Sequence, residues 1–150
     1  MATRMTPVSQ MARRFISRNV FATYAVRINS IAVSGGTGSG TITIDNDAPF
    51  IWSMSTYVAN ITGAAVTDAT RVLPLTNVQM STQDTQRMNN IAVPIPSIFG
   101  TADKPFVLPR KRVLATSTKI TFDVTNLDST NVIASLWLVL VGEKAFDEVA

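Results

Sequence analysis

The chain has 150 residues, of which 46% are hydrophobic and only 15% charged, with 13 Lys and Arg against 10 Asp and Glu for a net charge of +3. That length suits one domain, able to bury about 70% of its unfolded surface, and a charge content below the roughly 25% of an average globular protein suits strands and surfaces covered by neighbours. With neither Cys nor His, disulfides, thiolate nucleophiles, imidazole bases and the commonest zinc ligands are excluded.

The charge is unevenly placed. Residues 1–44 carry Arg4, Arg13, Arg14, Arg18 and Arg27 and no acid, so they hold +5 and the remainder sums to −2. Arg13, Arg14 and Arg18 interrupt any signal-peptide core. The longest apolar run, residues 136–141, is far short of the roughly 20 that a membrane helix needs. The expectation is a soluble protein made in the cytoplasm.

Residues 1–19 lack a sustained hydrophobic period and read as an extended N-terminal arm ahead of a domain at 20–150. Such an end frays when nothing ties it down. Docked on a neighbouring subunit it would be anchored by Phe15, Ile16 and Val20, with Arg13, Arg14 and Arg18 as partner contacts. The arginines also attract phosphate, but without interleaved aromatics they make a weak nucleic-acid module.

From 20 to 33 the period becomes two, with Tyr24, Val26 and Ile28 on one face and Thr23, Arg27 and Asn29 on the other, which predicts a half-buried strand. The run from Ser34 to Gly40 invites a phosphate-loop reading. That motif requires Lys at 41 and Ser or Thr at 42, where the chain has Thr41 and Ile42. A hairpin loop between two strands is predicted instead.

Asp45, Asn46 and Asp47 signal a turn, and the two carboxylates are candidate ligands for a hard cation, although the twelve-residue calcium-loop pattern is missing. A strand follows at 50–61, carrying Trp52 and Tyr57. The next, at 72–81, contains Pro74, which favours an edge or a bulge. Residues 82–90 are polar and show no core signal. Prolines 94 and 96 make 91–100 an extended, non-helical segment crossing one end or face of the sandwich.

The chain is organised around residues 105–144. Two β-prone runs, 118–126 and 134–142, flank a polar turn and are expected to pair as antiparallel neighbours at the centre of a sheet. Ahead of them lies the basic triplet Arg110, Lys111 and Arg112. It is either an edge protected by charge or a contact for an acidic patch on a partner. The last run places Leu136, Leu138 and Leu140 on one face and Trp137, Val139 and Val141 on the other. A strand apolar on both sides is central between layers or covered by a partner.

The order Asp47-Ala-Pro-Phe-Ile-Trp52, Val93-Pro-Ile-Pro-Ser-Ile-Phe-Gly-Thr101, Lys104-Pro-Phe-Val-Leu-Pro-Arg110, Thr121-Phe-Asp-Val-Thr-Asn-Leu127 and a closing apolar strand ending in Gly142-Glu-Lys resembles small virion proteins of tailed bacteriophages. The resemblance covers roughly residues 40–146 and consists of spacing without a catalytic signature. It implies an all-β subunit, a single antiparallel β-sandwich or jelly roll, built into a virion. The expected function is non-enzymatic: a decoration or cement subunit stabilising the capsid shell, with the major capsid protein, other virion subunits and copies of itself as partners. A neck, collar or tail-associated ring component is the alternative. A second alternative is a glycan- or receptor-binding module stacking sugars on Trp52, Tyr57 or Trp137. No cofactor, metal or membrane is expected, and the ten acids are too scattered to suggest an acid–base pair.

Overall fold

The computed structural model describes residues 15–62, 76–83 and 88–149, with side chains from Arg18 to Phe146 within those bounds. Eight strands follow in order: β1 (Phe15–Ile31), β2 (Gly36–Thr43), β3 (Phe50–Ile61), β4 (Thr76–Thr82), β5 (Val93–Pro94), β6 (Phe106–Leu114), β7 (Lys119–Asn126) and β8 (Ile133–Val149). They form two four-stranded sheets, ordered β1-β8-β3-β6 and β2-β7-β4-β5. Every ladder between these strands is antiparallel. The expected all-β sandwich is therefore what this sequence forms.

Alternation within each strand sends one set of side chains between the sheets. Leu136, Leu138 and Leu140 of β8 meet Ile120, Phe122 and Val124 of β7 in a core that also holds Phe50, Phe99, Ile42 and Val78, all essentially solvent-free. Fully burying one such side chain stabilises the fold by about 1.5–3 kcal/mol.

The expected pairing of 118–126 with 134–142 does not occur. β7 lies between β2 and β4, and β8 lies between β1 and β3 in the other sheet. Period-two patterning identifies a strand but not its neighbour, and residues 127–132 form an arch between sheets where a hairpin turn was expected. Asn126, fully buried at the end of β7, organises that arch. Its Nδ2 donates to the carbonyls of Asn131 at 2.9 Å and Ile31 at 3.4 Å, and its Oδ1 accepts the Asp128 amide at 3.0 Å. Asp128 in turn accepts the amides of Thr130 and Asn131 at 2.8 and 3.1 Å.

The glycine run is also different from expectation. Only residues 33–35 turn, with Ser34 and Gly35 at φ of 53° and 91°, and Gly36 opens β2. Consecutive strands β1 and β2 again belong to opposite sheets. Gly38 and Gly40 lie under β1, where an added Cβ would sit 2.6 Å from Ile28 Cγ2 and 2.3 Å from Val26 Cγ2. Their missing side chains let the two sheets close together at this corner.

β1 begins at Phe15, five residues before the sequence period becomes evident, because its partner β8 also runs on to Val149. Residues 1–14 of the proposed arm, Pro74, and residues 84–87 lie outside the described residues. The segment 91–100 is not wholly extended: Ile95–Ser97 makes a single 3-10 turn. Beyond it Gly100 bridges to β3, with Tyr57 N–H donating to Gly100 O at 2.8 Å and Gly100 N–H to Ser55 O at 3.1 Å. This segment thus crosses from one sheet to the other and buries Ile95 and Phe99 on the way.

Candidate interaction site

Residues opposite one another in a ladder share a face, so the register defines the outer surface of each sheet. On the β1-β8-β3-β6 sheet the outward rows run from the polar Asn29–Ser135–Asn60 through Arg27–Trp137–Val58, Ala25–Val139–Thr56 and Thr23–Val141–Met54–Val107 to Phe21–Glu143–Ile51–Val113. Most of these are apolar, and several are open to solvent: Phe21 is 73% exposed, Val113 65% and Trp137 38%. The outer face of β8 is thus half-covered by its own neighbours. On the β2-β7-β4-β5 sheet the outward rows are Thr37–Thr125–Asn77–Pro94, Ser39–Asp123–Gln79, Thr41–Thr121–Ser81 and Thr43–Lys119, polar at every position except Pro94 of β5.

A second feature lies at the β6 edge. Between the pairs Trp52–Arg112 and Met54–Val107, β6 runs through residues 108–111 while β3 advances through Ser53 alone. Pro109 sits in that excursion, consistent with its missing donor and with an edge position. The bulge at Ser53 serves the buried indole of Trp52, whose Nε1–H donates to Met54 O at 3.0 Å and Ser55 Oγ at 2.9 Å.

Across the layer, β5 has only two residues. The inner side of β6 is therefore incompletely covered, and a cleft of about 260 Å³ opens there. Its floor is Trp52, Met80, Met88, Ile98, Phe106 and Leu108, and exposed Arg110 and Arg112 stand at its mouth. Alternation along β6 sends Phe106, Leu108, Arg110 and Arg112 to this side and leaves Lys111 on the other. The basic triplet was legible in the sequence, whereas of the apolar floor only Phe106 and Leu108, alternating in step with Arg110 and Arg112, carried a local sign.

The predicted partner residues do not converge. Arg13 and Arg14 lie outside the described residues. Phe15 and Ile16 pair through their backbone with Val149 and Glu148 at the far end of β1. Arg18 faces Phe146 across the same ladder, its guanidinium carbon 5.4 Å from the ring centroid. Arg110, Lys111 and Arg112 are on β6, at the opposite edge of the sheet. Among the aromatic candidates for sugar stacking, Trp52 and Tyr57 are buried in the core. Trp137 is on the surface, with Arg27 stacked 5.4 Å from its ring centroid.

Asp45 and Asp47 have a different role from the cation site considered above. Lys144 Nζ lies 3.0 Å from a carboxylate oxygen of each and 5.8 Å from the Tyr24 ring centroid, so an ammonium already bridges the pair and offsets one of its two charges. The hydrogen bond from Lys144 holds the Asp45 carboxyl below its ordinary range, and the two aspartates raise the Lys144 ammonium. Asp128 is likewise lowered, first by the Asn131 side-chain amide and then by the backbone amides of its turn. Among the described residues no group of three or more Asp and Glu is placed to hold a metal ion, and no helix is long and apolar enough to cross a membrane.

Compared with known proteins, the chain matches no family model, no curated protein and no solved structure.

Proposed function

We propose that this protein is a non-enzymatic structural subunit of a virion, a decoration or cement protein that binds the major capsid protein through the outer face of the β1-β8-β3-β6 sheet. The observation that carries this reading is the difference between the two outer faces, one mostly apolar in rows that span four strands and the other polar at every position except Pro94. A folded sandwich needs only its inner faces to be apolar. Contiguous apolar surface beyond that marks an interaction site.

Magnitude supports adding the arm. Four strands about 4.8 Å apart, with outward positions every ~6.8 Å over four intervals, offer about 500 Å². Counting both partners gives about 1,000 Å², the lower limit for a specific interface. Residues 1–14, with Arg4, Arg13 and Arg14, would supply the rest by extending from β1 over a neighbour. Contacts made only in the assembled shell stabilise it by mass action.

The strand pairing also supports the reading. β1 pairs with β8, β2 with β7, β3 with β6 and β4 with β5, as if one long hairpin had been rolled up. We read this winding as a jelly roll, which capsid domains share with lectin and cupin domains. The winding alone assigns no activity.

The test is occupancy on particles. Phe21→Asp and Val113→Asp, at opposite edges of the apolar face, are expected to lower the amount of protein bound per particle while leaving the melting temperature of the free domain unchanged. Thr121→Asp, on the polar sheet, is expected to bind as the parent does, and removing residues 1–14 to weaken attachment without unfolding. Full occupancy by the Phe21 and Val113 variants would refute the assignment of that face. Copy number separates the shell from a neck or collar ring, which closes at about a dozen subunits.

A further inference from the structure

We propose that the cleft beneath β6 is a docking site for an extended acidic segment of another protein, which inserts one bulky apolar side chain and sets carboxylates against Arg110 and Arg112. This inference is independent of the virion reading. Size points to a side chain as the occupant: about 260 Å³ falls below the roughly 300–1,000 Å³ of small-molecule pockets and suits a single anchor residue. The floor of Trp52, Met80, Met88, Ile98, Phe106 and Leu108 is apolar, and its two methionines are unbranched and adapt to the shape of an inserted group.

Charge selects the flanks of that anchor. Arg110 and Arg112 are exposed, no described acid lines the cleft, and among the described residues no ion pair engages either guanidinium. Guanidinium groups bind carboxylates in a bidentate fork. A second copy of this chain, at net +3, brings charge of the same sign. The backbone offers a further attachment: β6 is an edge strand, and an extended segment can add to such an edge. Pro109 withholds one donor there, which restricts the register.

The chain has two tryptophans, so Trp137→Phe leaves Trp52, on the cleft floor, as the sole indole reporter. Into this protein one would titrate blocked Ser-Asp-Glu-Phe-Asp-Ser, the same peptide with Ala for Phe, and Ser-Lys-Lys-Phe-Lys-Ser. The acidic Phe peptide is expected to shift Trp52 emission saturably, and the Ala peptide to bind about tenfold more weakly or worse, tenfold being about 1.4 kcal/mol. Arg110→Glu/Arg112→Glu is expected to abolish the response to the acidic peptide and to gain one to the lysine peptide. The milder Arg110→Ala/Arg112→Ala, should the charge reversal not fold, is expected to weaken acidic binding and its salt dependence together. The proposal is overturned by an absent response, by equal binding of acidic and basic peptides to the parent, or by unchanged binding in either double variant. A Trp52 shift that grows with protein concentration alone would overturn it too, by giving the cleft to a second copy.

Discussion

The two sheets are alike on the inside and opposite on the outside. Inward, β8 supplies Leu136, Leu138 and Leu140 and β7 supplies Ile120, Phe122 and Val124, all at 1% exposure or less. Outward, the same stretch of β7 presents Thr121, Asp123 and Thr125, and that of β8 presents Trp137, Val139 and Val141. Hydroxyl, amide and carboxylate groups keep the first surface hydrated. The second leaves apolar area in water, for which the fold has no need, and that excess is what the proposed docking on a capsid subunit would bury.

The sharpest way to break the comparison is to show that the inner faces are unequal. Leu138→Ala and Phe122→Ala should each destabilise the isolated domain strongly, by about 2–5 and 3–5 kcal/mol, as read from chemical denaturation; a loss under 1 kcal/mol at either site would mean that one sheet does not close the core. Asn126→Ala should cost about 1–3 kcal/mol, because it strands buried backbone groups of the arch between sheets. Gly40→Ala should cost about the same, about 1–3 kcal/mol, since the new methyl must displace Val26; an unchanged midpoint would show that the corner is looser than the 2.3 Å approach indicates.

Smaller effects sharpen the outer faces. Exchanging Thr121 for Val or Val113 for Thr should move stability by no more than about 0.5 kcal/mol while changing surface hydrophobicity, measured by retention on an apolar resin, in opposite directions. The smallest effect is electrostatic and concerns the exposed carboxylates. Asp45 and Asp128 have folded pKa values below the ordinary 3.8, so the folded state binds fewer protons in acid. Their contribution is complete above that value and disappears as pH falls through the folded pKa. The Lys144 ammonium, raised above 10.5, contributes throughout the neutral range and loses its effect only at strongly alkaline pH. Lys144→Met should therefore flatten part of the decline in melting temperature below about pH 4, and an identical acid limb in parent and variant would dissociate the ion pair from stability.

Much of this was legible in the chain. Tyr24, Val26 and Ile28 announced one face of β1 by their period of two, and β8 was visible as a strand apolar on both faces, with Leu136, Leu138 and Leu140 on one and Trp137, Val139 and Val141 on the other. The Arg110 triplet was recognisable as an edge device. The cleft was hidden because its floor is drawn from β3, β4, β6 and two connecting segments, and Met80, Met88 and Ile98 give no local sign of meeting Trp52. The glycine run misled because Gly36, Gly38 and Gly40 look like a flexible loop, whereas alternation with Thr37, Ser39 and Thr41 makes them the small inner face of a strand.

The sequence by itself determined that this protein is all β, where most strands lie, which residues share a face of β1 and of β8 and that one terminal strand is apolar on both faces, since each of these follows from spacing along a single strand. Tertiary structure decided which strands are neighbours, that β7 and β8 face each other across the core instead of pairing, and that β6 leaves β3 to open a cleft. Those outcomes depend on contacts between residues distant in the chain, which local alternation leaves undetermined.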